Sequence, residues 1–581
     1  MKFSLSSPPY LAVKDKLACW VVVFALIIVQ VFCYGPIVTH VGFYLDDWAT
    51  LSFLHFAPKA GGYLGLLHYY LFNDSRVLIR PLEVLHFGTV YYLCGEKPLG
   101  YHIVNMIFEV ASSLLLYKIL VRLTARRAAA LIGALLLLLY PSHDSTRYWV
   151  ICSSVTLSLL LYLGSLQAAI VGTDCYLSGA KKKAIIFQLI GFLLFFLSLL
   201  NYEIFLPFAA ITVLICAAMA WRQGQKLILP TAFAALPLIL GAVALVIYLK
   251  VLVPLLGHGY AHAISLDPKV MIATIVQGLD LSTPWQAGRF FYEQAQNAIA
   301  VLTSSEKIRL VLIASGGALA VLWLAYRDNK EPPEGATAGL APLRPLDLVV
   351  IAALAVFLSY TIFGLSPDYM PTFITLVNRV NSGASIGIAI FITALFQALA
   401  VRVGRRGSLA LAGVGALAML LLFTLADWGL SKPWIVSWTT QKEVRQAVRQ
   451  LKGKIDPQAT LLLVSCPRYV MWSPVFDGVW DFQNMVRITL DQPQFNANVV
   501  SERMTISRAG IKDVSYGYEC GVYPFNKLFL MVAPHPELYP IRSGDAFVDM
   551  VEQRGMSFGL DKKTLSKWRS EYLTTKLEPS H

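Results

Sequence analysis

The chain has 581 residues, of which 56% are hydrophobic and 14% charged. A soluble domain carries about 25% charged residues, so this chain cannot cover itself with ionic surface in water, and its mean hydropathy of +0.60 agrees. The net charge of +13 does not mark a nucleic-acid surface, because Lys and Arg sit mainly in short segments between apolar runs, where they report topology.

In chain order, apolar windows of near-membrane length cover residues 17–38, 99–121, 127–141, 149–172, 185–201, 203–221, 228–254, 308–326, 346–365, 381–401 and 408–427. The first follows Lys14 and Lys16 and resembles a signal peptide in outline. It is long for one and lacks a small-x-small cleavage site, so we expect an uncleaved membrane helix. The window 127–141 is short, and Asn201-Tyr202-Glu203 is the turn that divides 185–221. Residues 82–93 are apolar but too short to span and read as an interfacial segment.

Basic residues set the expected orientation. With the amino terminus inside, Arg122/Arg126/Arg127, Lys181–Lys183, Arg222/Lys226, Arg327/Lys330/Arg344 and Arg402/Arg405/Arg406 all fall in inside loops. The long segments 39–98 and 255–307 and the carboxy-terminal region then lie outside. The expected class is therefore a polytopic α-helical membrane protein of about eleven transmembrane helices (residues 1–427), followed by a small α/β soluble domain (residues 428–581). In that tail, 441–454 (QKEVRQAVRQLKGK) reads as an amphipathic helix, and 460–465, 485–490 and 528–532 read as strands. Cys466 and Cys520 could form a disulfide on an oxidising side or stay as two buried thiols. Residues 331–341 (EPPEGATAGLA) read as a flexible loop.

Several polar residues sit where polarity is costly. Asp46 and Asp47 stand side by side among aromatic residues directly after the first span. Burial and mutual repulsion would raise one carboxyl toward the range of a general base; the alternative is a solvated helix cap. Arg80, held extended by Pro81, either grips a phosphate or a carboxylate or anchors the interface. His102 and Asn105, three apart at the start of the second span, share a helix face and could serve the site or simply hydrogen-bond within the bundle. Glu203 lies at a turn between two apolar runs, where it orients a ligand, completes a metal site or is merely solvated. His258 and His262 have a metal-like spacing, but the glycines at 257 and 259 argue against a helix there.

The order Asp46-Asp47-Trp48, then Arg80-Pro81-Leu82, then His102-x-x-Asn105 resembles the GT-C superfamily, multi-span glycosyltransferases that use polyprenyl-phosphate-linked sugars. The family includes protein O-mannosyltransferases and the aminoarabinose transferase of lipid A. The resemblance covers about residues 40–110 and is similar to the membrane half of the TPR-containing O-mannosyltransferases, although no TPR array follows. It implies an aspartate of the first loop as base, Asp46 in preference to Asp47. It also implies a cation for the departing lipid phosphate, for which Arg80, Arg289 and Arg379 are the candidates. His102, Asn105 and Glu203 would complete the substrate site. Mg²⁺ or Mn²⁺, if used, would sit on Asp47 and Glu203.

The function implied is inverting transfer of a hexosyl or pentosyl unit from a polyprenyl-phosphate sugar to a glycan, lipid or protein acceptor. The site would face the periplasmic side of a bacterial inner membrane, in glycan biosynthesis of the cell envelope. A lipid-linked oligosaccharide ligase or polymerase, a transporter or flippase, and a catalytically inactive scaffold are the competing classes. Transporters place ionisable groups at the midplane on broken, repeated helices, whereas here the polar residues gather at one face.

Overall fold

The structure is a computed structural model that describes residues 16–256, 266–330, 342–515, 518–555 and 562–577. His258, His262 and the 331–341 segment lie outside the described residues. Among the described residues, ten helices are long and apolar enough to cross a membrane. They run Lys16–Val38, Pro98–Thr124, Val150–Leu177, Lys181–Asn201, Glu203–Arg222, Ile228–Leu255, Ser304–Lys330, Pro345–Leu365, Leu376–Arg402 and Gly404–Gln450. The chain is a multi-pass integral membrane protein. Each of the ten coincides with an expected span, because a stretch that must satisfy its backbone in hydrocarbon has no alternative to a helix.

The eleventh expected span is the 13-residue helix Arg127–Leu139, and all of its residues are buried. At 1.5 Å per residue it is about 20 Å long, short of the hydrocarbon thickness. It packs among Pro98–Thr124, Ser304–Lys330 and Ser382–Arg402, so protein rather than lipid surrounds it. Lipid-facing stripes are plain elsewhere: Trp20, Phe24, Ile27, Ile28 and Val31 of the first helix are all exposed.

The two ends of the bundle differ. At the end rich in basic loops, ion pairs tie neighbouring helices: Arg122 to Asp174 (2.7 Å), Arg127 to Asp328 (3.4 Å) and Arg222 to Asp347 (2.6 Å). At the other end, the segment after the first span folds into helices Asp46–His55, Gly62–Asn73 and Pro81–Cys94. The segment before Ser304 folds into Pro268–Leu281 and Pro284–Ile299. Two 3-10 turns, Glu203–Phe208 and Leu376–Asn381, lead into spans at this loop-rich end. They carry Glu203 and Arg379.

The last membrane helix does not stop where its apolar run ends. Gly404–Gln450 is one helix of 47 residues, about 70 Å long, so it passes through the 427/428 boundary expected from sequence and carries the amphipathic 441–450 stretch as its extension. Beyond it, Thr460–Val464 is buried along its whole length, as suits a central strand flanked by parallel neighbours. It pairs in parallel with Asn496–Val499 and with Leu528–Val532, and the latter pairs antiparallel with Leu538–Ile541. A second, antiparallel sheet holds Met504–Ile506, Gly510–Ser515 and Tyr518–Pro524. Residues 485–490, read as a strand from their apolar run, belong instead to the helix Asn484–Leu490. Two parallel strands need a crossover between them, and this helix supplies it, burying Met485, Val486, Ile488 and Leu490. Cys466 and Cys520 are not joined in a disulfide.

Candidate functional site

The first loop is fixed by contacts that leave one aspartate closed and the next one open. Gly42 lies so close to Trp438 that a Cβ would stand 2.0 Å from its ring, so only glycine allows this approach. Leu45 takes φ 45°, turning the chain sharply into the helix Asp46–His55. Asp47 stabilises that turn: its carboxylate accepts from the backbone amides of Tyr44 (2.8 Å), Ile151 (2.7 Å) and Val150 (3.3 Å). It thereby joins the first loop to the start of the span Val150–Leu177. Burial pushes the Asp47 carboxyl well above the usual carboxylate range in spite of those three donors.

Asp46 is different. Its side chain is 45% exposed, and its nearest ionic neighbour is Arg76, 4.0 Å away. Arg76 is itself held by Asp74 through contacts of 2.7 and 2.9 Å. The carboxylate of Asp46 is thus open to a ligand, with a cation beside it.

Arg80, Glu203 and Arg379, far apart in sequence, gather around Tyr202. Arg80 donates to Glu203 at 2.9 and 3.3 Å and lies 3.9 Å over the Tyr202 ring. The Arg379 guanidinium is 5.3 Å from the Trp149 ring centre and 5.2 Å from that of Tyr369, and donates to the Leu376 carbonyl at 2.7 Å. Burial raises the Tyr202 phenol, while the charges of Arg379 and Arg80 act on it in the opposite sense. The Trp149 indole beside Arg379 donates to the Tyr44 carbonyl at 2.9 Å, two residues before Asp46. The candidate site is this group: an open carboxylate, the guanidinium groups of Arg76, Arg80 and Arg379, and the aromatic rings around them.

Other predicted residues support this arrangement from behind. His102 is 1% exposed, with its Nε2 3.3 Å from the Gly42 carbonyl. Asn105 donates to the Thr146 carbonyl at 2.8 Å. Both hold loops in place and neither reaches the open face. Arg289 stands apart: its side chain is 70% exposed and pairs with Glu293, one helical turn along (2.9 Å). The structure does not bring it to the cluster, because the helix Pro284–Ile299 turns that face to solvent.

The residues proposed for a metal both have partners already. Asp47 spends its oxygens on backbone amides and Glu203 is paired with Arg80. Among the described residues no group of three His, Cys, Asp or Glu side chains could hold a metal ion.

The chain is similar to known proteins only locally or loosely. No family model matches it. Over 91 residues, 16% of this chain, it is 33% identical to mouse and 32% to human protein O-mannosyl-transferase TMTC3. That match spans 10% of the length of these curated relatives. Among solved structures, ArnT from Cupriavidus metallidurans bound to undecaprenyl phosphate aligns over 83% of this chain and 86% of its own, with 14% identity and a TM-score of 0.38. The apo state of the same protein gives 13% identity and a TM-score of 0.32.

Two groups of functional interest contain residues not singled out from sequence, Glu83 in the first and Glu109 and Asp427 in the second. Glu83, three residues after Arg80, is buried beneath the site. Burial pushes its carboxyl up to about 7, against the pull of Arg80. An acid in the first turn of an apolar interfacial segment was the available signal. The second group lies deeper. Arg147 pairs with Asp427 (2.9 Å) and Glu109 (3.4 Å). Tyr34 donates to Asp427 and Gln30 to Glu109, each at 2.5 Å. Acids inside otherwise apolar spans, as Glu109 and Asp427 are, signal such a network. Next to it, Asp144 accepts from Trp434 (2.7 Å) and from Asn378, and burial pushes its carboxyl up to about 6. This links the Asp144 turn to the segment that presents Arg379.

Proposed function

We propose that this chain is a GT-C-type membrane glycosyltransferase. It moves a hexosyl or pentosyl unit from a polyprenyl-phosphate donor to an acceptor at the non-cytoplasmic face. The observation that carries the reading is the cluster itself: the open Asp46 carboxylate beside a set of guanidinium groups where a membrane-bound phosphate can reach them. The gathering of basic residues at the opposite end of the bundle supports the orientation. The local match to protein O-mannosyl-transferase TMTC3 supports the transferase class.

In the reaction proposed, Asp46 accepts the proton of an acceptor hydroxyl as its oxygen attacks the anomeric carbon. The bond from that carbon to the phosphate oxygen breaks, and its electron pair stays on the phosphate. The guanidinium of Arg379, with Arg80 behind it, meets the charge that develops there. Attack opposite the leaving phosphate inverts the anomeric centre. Arg76, 4.0 Å away, stands beside the Asp46 carboxylate. His102, Asn105 and Asp47 act as positioning residues through the loops they hold.

The acidic residues do not fit a divalent cation, since each proposed ligand already has its partners, so no step is assigned to Mg²⁺ or Mn²⁺. The test is turnover of a panel of polyprenyl-phosphate sugars by the purified protein, with and without EDTA, comparing wild type and Asp46→Asn. Release of polyprenyl phosphate by the wild type that survives EDTA and fails in the variant supports the reading. No release with any donor overturns it.

A further inference from the structure

A second site lies away from the Asp46 cluster, on the extension of the last membrane helix. Trp438, Lys442, Arg445 and Arg449 fall on one stripe of Gly404–Gln450 at spacings of four, three and four, so they share a face. Opposite them stand Glu96 and Pro98, at the start of the span Pro98–Thr124. Between the two is a groove of about 700 Å³.

Its charge is not balanced from within. Glu96 is already committed, accepting from Arg445 at 2.6 Å and contacting His55 at 2.8 Å. Those two partners outweigh burial and hold the Glu96 carboxyl below its usual range. Lys442 and Arg449 are exposed, and neither has an ion pair among the described residues. The groove therefore presents two uncompensated cations to whatever enters it.

Its depth says what that is. The bilayer-facing surface reaches up to the groove: Leu99, Ile103 and Ile107 form an exposed apolar stripe just beneath Pro98, and Val436 is 51% exposed just beneath Trp438. Lys442 follows Val436 by six residues, about 9 Å along the helix. The polar layer of a bilayer is roughly 5–8 Å deep on each side, so the flexible ammonium of Lys442 reaches back into it, whereas Arg449, about 20 Å beyond Val436, stands outside it. Trp438 at the floor is the residue type that favours this depth.

We propose that this groove binds the phosphate of an anionic lipid headgroup, with Lys442 as its cationic contact and Trp438 beneath the glycerol region. The site does not depend on the glycosyl-transfer reading. It is, however, wired to the Asp46 loop: Arg445 lies 5.3 Å over the Trp48 ring, Trp48 stacks on Trp438 at 6.3 Å, and the Trp48 indole donates to Gln441 at 2.9 Å. Trp48 is two residues from Asp46, so an occupied groove firms the helix that presents the open carboxylate.

The test uses the full chain in detergent, with phosphatidylglycerol, phosphatidylcholine and inorganic phosphate as probes. Native mass spectrometry counts retained lipid, and hydrogen exchange reports on residues 436–450. The wild type is expected to retain phosphatidylglycerol over phosphatidylcholine, with protection confined to that helix segment. Lys442→Gln should lower retention about fivefold, since one cation near a membrane surface contributes on the order of 1 kcal/mol, while Lys442→Arg and Arg449→Gln should preserve it. Both positions are exposed, so the variants fold. Equal retention of the two lipids, or retention unchanged in Lys442→Gln, overturns the proposal. Protection of 436–450 by inorganic phosphate with no lipid preference reassigns the groove to free phosphate and overturns the lipid assignment.

Discussion

Asp47→Ala removes the acceptor of three backbone amides, those of Tyr44, Val150 and Ile151. A buried donor left unpaired costs about 1–3 kcal/mol. Counting the 3.3 Å contact as weak, the substitution should cost roughly 3–5 kcal/mol in all. It also frees the sharp turn at Leu45. The thermal midpoint of the purified protein, followed by intrinsic fluorescence, should therefore fall by several degrees. Asp46→Asn perturbs much less. The Arg76 guanidinium is 4.0 Å away and both side chains are about half exposed, which makes the pair worth about 0–1 kcal/mol. The midpoint should stay put, while turnover should fall by about 10²–10⁴, the usual contribution of a general base. The contrast is the decisive quantity. If Asp46→Asn lowered the midpoint and kept turnover, or if Asp47→Ala left the midpoint unchanged, the division of labour between the two aspartates would be wrong.

Arg379→Ala should lower kcat by about 10²–10³, the usual cost of removing one group that meets developing charge. Lysine should recover only part, because an ammonium cannot reproduce the planar guanidinium beside Trp149 and Tyr369. Full activity in Arg379→Ala would remove it from the site. Arg147→Met leaves Asp427 and Glu109 buried without their cation and should cost about 3–5 kcal/mol, read as lost monodisperse protein; an unchanged yield and midpoint would mean the network is solvated. Glu83 gives a pH signature. Its carboxyl is raised in the folded protein from 4.5 to about 7, so the folded state binds the extra proton between those values. Its contribution to stability is complete below 4.5 and is lost as pH rises through about 7. Glu83→Gln should flatten the midpoint across that window, and an unaltered slope would show that Glu83 is already ionised.

Why the sequence reveals the scaffold better than the site follows from what each depends on. A span needs only local information, about twenty apolar residues whose backbone must bond within itself, so the window 149–172 appears as Val150–Leu177 with its ends displaced by a few residues. Even the short 127–141 window is a helix, although protein rather than lipid is its solvent. The segment 485–490 misleads because a six-residue apolar run fits a strand and a buried helix turn equally well, and only the parallel pairing of its flanking strands decides for the helix. The site is a matter of which loops meet. Asp46, Arg80, Glu203 and Arg379 are visible as polar residues at one end of the bundle, but whether each is open or spent is decided by its partners. Composition and position do not separate Asp46 from Asp47, and only the resemblance prefers the first; the amides of Val150 and Ile151, a hundred residues away, close Asp47. Arg289 and Arg379 look alike for the same reason, until Glu293 claims the first and two aromatic rings flank the second. A charged residue at a membrane edge therefore marks a candidate, and its long-range partners decide whether it retains a free hydrogen-bonding face for substrate.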